Sequence, residues 1–122
     1  MADSPQQQES FKMSDADDGK NVSGFSVASI SAGLSGPVGY AEFLNSTHLR
    51  CGIYQLGAGA EDPQSPHDED EIYYVIAGRG KLVTDNGILS AGAGEVLYIG
   101  AGVRHRFESI EEALTLLVVF AR

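Results

Sequence analysis

The sequence predicts an all-β sandwich or barrel, and two observations carry that prediction. Beyond residue 24, short apolar or alternating runs rich in Val, Ile, Tyr and Phe recur, separated by Gly, Pro, Asn or Asp. No stretch of useful length repeats its apolar residues at the helical period of about 3.6. Fifteen glycines suit a chain of many turns. With 122 residues, 43% of them hydrophobic, the chain has room for one domain and a modest core.

Taken in order, residues 1–24 come first and read as a flexible tail. Gln6-Gln7-Gln8, several serines, Asp15, Asp17 and Asp18 dominate there, and the apolar residues are sparse and without period. Met1 to Ser10 lacks the apolar core of a secretory signal, and no apolar run approaches the ~20 residues of a membrane helix. A barrel domain over 25–122 follows. Its expected strands are 25–30, 38–43, 49–56, 72–77, 81–84, 87–89, 95–99 and 114–120. Asp85-Asn86-Gly87 is a tight-turn signal between two of them. Gly78 and Gly80 flank Arg79 in a further expected turn, and Gly94 and Gly102 are read as turn glycines.

Composition narrows the function classes. The formal charge is −9, an unsuitable surface for nucleic acid, whose phosphates need clustered Lys and Arg. Cys51 is the single cysteine, so no internal disulfide forms, and its apolar surroundings make it a buried, inert thiol. A soluble, cytoplasmic protein is expected, with no membrane and no nucleic-acid partner.

The densest polar cluster is Ser65-Pro66-His67-Asp68-Glu69-Asp70-Glu71, which leads straight into Ile72-Tyr73-Tyr74-Val75-Ile76. On a continuous strand, residues four apart lie about 13 Å from each other. Ligands of one metal each lie about 2 Å from it. His67 and Glu71 therefore share an ion only if the chain folds back between them. Asp68-Glu69-Asp70 is the expected turn, exposed, with His67 ending one strand and Glu71 opening the next. The central glycine of a calcium loop is missing. His105 follows the glycine-rich Gly100-Ala101-Gly102 and is placed to enter at the start of a strand. Two His and one carboxylate around open positions form the facial arrangement of non-haem iron oxygenases. His48 lies in a polar stretch and reads as surface.

These residues resemble the two motifs of the cupin superfamily. The first, G-x5-H-x-H-x3-E-x6-G, is met by Gly59, His67, Glu71 and Gly78, with Ser65 in place of the first histidine. The second, G-x5-P-x-G-x2-H-x3-N, is met by Gly94, Gly102 and His105, with Gly100 for proline and Ser109 for asparagine. The resemblance implies a small RmlC-like jelly-roll barrel, a double-stranded β-helix. It also implies a divalent metal ion held by His67, Glu71 and His105: iron(II) first, with manganese, nickel or zinc as alternatives. Ser65 is a poor match to the fourth ligand position, for which water or the neighbouring Gln64 amide is a substitute.

Alternation places Tyr73 and Val75 on the inward face with Glu71, and Phe107 with His105, around a cavity for a small organic ligand. Arg104 and Arg106 then face outward. The function expected is a metal-dependent oxygenase of a small substrate. In an isomerase or lyase Glu71 would instead be the catalytic proton carrier, and a non-catalytic binding module is the third reading. A homodimer is expected through pairing of strand runs such as 25–30.

Overall fold

The computed structural model describes residues 22–122. It contains α1 (Val27–Ala32), β1 (Val38–Asn45), β2 (Leu49–Leu56), β3 (Glu71–Thr84), β4 (Gly87–Gly92), β5 (Val96–Ile99) and β6 (His105–Ala121). The tail expected over 1–24 lies outside the described residues except for Val22–Gly24, which are exposed and carry no regular structure.

All pairings are antiparallel, in the order β1-β2-β6-β3-β4, with β5 also on β3. The two longest strands serve both walls of a jelly-roll barrel. The start of β3, Glu71–Val75, runs beside Leu116–Phe120 of β6 and is flanked by β5. Its end, Lys81–Thr84, runs beside His105–Glu108 and is flanked by β4. Between the two segments the register slips three times, at Val75/Ala77, Ala77/Arg79 and Arg79/Lys81. Such bulges bend a strand without detaching it from its partner.

The bend explains one departure from expectation. The segment around Arg79 is not a turn between two strands; residues 72–77 and 81–84 are one continuous β3. At the bend Gly78 has φ +99°, and a Cβ there would lie 2.1 Å from the Ala113 carbonyl oxygen, so β3 and β6 cross too closely for any side chain. Ser109, on the opposite strand, carries a positive φ of 51°.

A second departure is at the start of the domain. Residues 25–30 do not form a strand. Ser26 caps a short helix by accepting the Ser29 N–H at 3.1 Å, and the Gly33 N–H closes its end on the Ile30 carbonyl. The segment lays its apolar residues across the outside of the sheet. Ile30, Phe25 and Leu34 pack there with Phe43, Cys51 and Ile53. Cys51 is accordingly buried, as expected. The main core fills the barrel and includes Val75, Leu82, Phe107, Leu114 and Leu116, each at most 1% exposed.

Candidate metal centre

Glu71 opens β3 and is 2% exposed. The alternation read from sequence holds: Glu71, Tyr73 and Val75 point inward, Ile72 and Tyr74 outward. His105 opens β6, with Phe107 on the same inward face, and Arg104 and Arg106 face solvent. In the β3–β6 ladder Glu71 pairs with Phe120 and His105 with Thr84, at opposite ends. The bends at Gly78 and Ser109 fold those ends over each other, and His105 Nε2 comes to 3.1 Å from Glu71 Oε1.

His67 arrives differently from expectation. It does not end a strand; the whole segment from 61 to 70 is irregular. The chain does fold back, over Asp68-Glu69. The His67 carbonyl accepts the Gly102 N–H at 2.7 Å, and Asp70 Oδ1 accepts the Ala101 N–H at 2.9 Å. The loop bearing His67 is thus pinned to the turn that delivers His105. The His67 ring packs 4.9 Å from that of Phe120 and 5.9 Å from that of His105. One ligand atom each from His67, Glu71 and His105 all lie within 4.8 Å of one another. Small side-chain adjustments bring such a set onto one ion at about 2 Å. Asp68 and Asp70 are exposed as expected, but Glu69 is half-buried because it pairs with Arg50. His48 is on the surface.

The hydrogen bonds fix where the lone pairs point. His105 Nδ1 lies 2.8 Å from the Val103 carbonyl oxygen, which can only accept, so Nδ1 carries a hydrogen. In the neutral ring Nε2 then presents its lone pair toward Glu71 and Tyr73, the tautomer a metal requires. Glu71 Oε1 is buried and has no hydrogen-bond partner; His105 Nε2 is close but not aligned as a donor to it. A buried carboxylate oxygen in this position costs free energy unless a cation meets it. Two imidazoles and a carboxylate with an unmet oxygen suit a divalent ion by both donor type and charge. Burial on its own pulls the His105 pKa down, but Glu71 and the Val103 carbonyl outweigh it and the net shift is upward. A proton and a metal ion therefore compete for this site.

A cavity of about 310 Å³ opens over the cluster. Its wall includes His67, Glu71, Tyr73 and Gln64. Ser65 is exposed and takes no part in the wall. Val75 and Phe107 face inward but belong to the closed core and do not line the cavity. The rest of the wall was not foreseen: Tyr40, Tyr54, Arg50, Val118 and Phe120. Arg50 lies 2.8 Å from Glu42 and 2.5 Å from Glu69, with its guanidinium 4.3 Å above the Phe120 ring. Its signal was a lone cation within the apolar run of β2, in step with the inward Tyr54 and Leu56. Asp62, buried behind the wall, gave no signal, because a loop carries no alternation. Burial, followed by neighbouring carboxylates, holds the phenol pKa values of Tyr40 and Tyr73 well above their usual range.

Comparison with known proteins places these features in context. The cupin domain family profile matches residues 52–120. Uncharacterized protein SCO3923 of Streptomyces coelicolor is 40% identical over 82 residues, 67% of this chain and 78% of that protein. The cupin domain of Schizosaccharomyces pombe Cnp3 superposes with a TM-score of 0.71 at 19% identity, covering 80% of this chain and 72% of that one. The DMSP lyase DddQ of Ruegeria pomeroyi superposes with a TM-score of 0.64 at 18% identity, over 70% of this chain and 47% of that chain. This chain thus spans about half the length of that lyase. At such identities the structural likenesses concern the fold.

Proposed function

The chain belongs to the cupin domain family, and on that footing we propose that it is a metal-dependent enzyme of a small organic substrate, an oxygenase in the first instance. The observation that carries the reading is the buried Glu71 Oε1, without a hydrogen bond, beside an imidazole lone pair that the Val103 carbonyl turns toward it. His67, Glu71 and His105 would hold the ion. When bound, a divalent ion supplies Lewis acidity and open coordination positions, and iron(II) adds dioxygen chemistry.

The protein's own groups do the rest. Ser65, at the position of the fourth histidine, is exposed, and the Tyr73 hydroxyl lies beside the cluster, 3.1 Å from His105 Nε2. The aromatic wall excludes water and orients a ligand by its flat faces.

A homodimer is the assembly we favour. Ile72, Tyr74, Val96 and Tyr98, each more than 40% exposed, form one apolar patch on the outer face, where Ile72 pairs with Tyr98 and Tyr74 with Val96. No helix among the described residues is long and apolar enough to cross a membrane.

The oxygenase reading is tested by oxygen uptake of the iron(II)-loaded protein over a panel of diketones, thiols and phenols. Uptake with one class, abolished in His105→Ala, is expected. No uptake with any of them turns the assignment to an isomerase, a lyase or a binding module.

A further inference from the structure

We infer that Asp62 and Gln64 are positioning residues that fix the direction of the Tyr73 phenol proton, and so keep the phenol oxygen turned toward His105 and Glu71 as an acceptor. This deepens the metal-binding reading above and rests on it.

Asp62 is 5% exposed and sits outside the proposed ligand set. Its Oδ2 accepts the Phe107 backbone N–H at 2.8 Å, a donor fixed in β6 that cannot reverse. The same oxygen accepts from Gln64 Nε2 at 2.6 Å, while Oδ1 accepts from the Tyr54 hydroxyl at 2.5 Å. An amide that gives its nitrogen to a carboxylate must present its oxygen on the other side. A flipped Gln64 would set two acceptors against each other. Gln64 Oε1 therefore faces Tyr73, which donates its single proton there at 2.9 Å.

Toward His105 Nε2, 3.1 Å away, the phenol then has only lone pairs left. Nε2 is itself a lone pair, because Nδ1 is the nitrogen that donates to Val103. The Tyr54 and Tyr73 hydroxyl protons and the Gln64 amide proton given to Asp62 thus all point away from the cluster. The acceptors left behind need a cation to satisfy them. Without the Gln64 oxygen, the Tyr73 proton has only His105 Nε2 or the Glu71 carboxylate to turn to. That hydrogen bond occupies the lone pair an ion requires.

Cobalt(II) binding, followed by its visible absorption in wild type, Gln64→Leu, Tyr73→Phe and the double variant, tests this. Gln64→Leu is expected to weaken cobalt binding about tenfold or more, the usual effect of losing an outer partner. Removing the competing hydroxyl in Gln64→Leu/Tyr73→Phe should restore part of that loss. A merely structural role for Gln64 predicts losses that add. Gln64→Asn keeps an amide in the loop but is one methylene too short to reach Tyr73. It should behave as Gln64→Leu and serves if the leucine variant does not fold. Wild-type binding with Gln64→Leu and Gln64→Asn unchanged, or additive losses in the double variant, would overturn the inference alone. Failure of the wild type to bind cobalt would overturn the metal-binding reading and the inference with it.

Discussion

The start of β3, at Glu71 and Tyr73, and its continuation through Val75 to Leu82 are buried to the same degree, yet they are built to opposite ends. Around Val75 and Leu82 each inward side chain meets carbon from Phe107, Leu114 and Leu116. Around Glu71 the inward atoms are polar. Val103 and Gln64 answer His105 Nδ1 and the Tyr73 hydroxyl, whereas Glu71 Oε1 has no hydrogen-bond partner. Burial therefore does not distinguish a structural position from a functional one. What distinguishes them is whether the buried group's demand is met within the chain.

That contrast is broken or sharpened by three substitutions. The largest effect belongs to the closed end. Phe107→Ala empties the centre of the core and should cost about 3–5 kcal/mol in chemical denaturation, while the folded fraction keeps its metal stoichiometry. Loss of stability below about 1 kcal/mol would mean that the closed end is not the part that holds the barrel together.

Next comes the hinge between the two ends. Gly78→Ala sets a Cβ against the Ala113 carbonyl at a positive φ. It should cost at least about 1–3 kcal/mol and should also weaken metal binding, because the bend is what carries His105 to Glu71. An unchanged metal affinity in the folded variant would detach the bend from the site.

The smallest effect lies at the rim. Arg50→Ala removes charged hydrogen bonds to Glu42 and Glu69 and should cost about 1–2 kcal/mol. It should also change the acid side of the stability profile. The Arg50 hydrogen bond lowers the Glu69 pKa, so the pair stabilises the fold above the ordinary glutamate range. That contribution is lost as pH falls through the lowered folded value. In Arg50→Ala the acid loss due to Glu69 should disappear, as read from denaturation midpoints across pH.

The same contrast explains what was legible in the sequence. β2 lies at the residues expected from its run, 49–56, and β4 and β5 lie within a few residues of theirs, because alternation against a core is written locally. That His67, Glu71 and His105 come together was legible through motif spacing. Tyr73 followed from Glu71 by alternation. The same rule named Val75 and Phe107, but alternation gives the side of a sheet and not the depth along it. Residues 25–30 misled because an apolar run with Ser26 as a cap suits either state, and only the outer face of β1 and β2 decides for a helix. Asp62 and Arg50 act through partners remote in sequence, Phe107 and Glu69, which no local pattern links to them.

The central claim is that three side chains remote or turned back along the chain share one ion. Titration of the metal-stripped protein with cobalt(II), monitored by its visible spectrum, addresses it most directly. One saturable site per chain is predicted, and it should vanish in His67→Ala, Glu71→Gln and His105→Ala. No saturable site, or one that survives all three substitutions, would contradict the account.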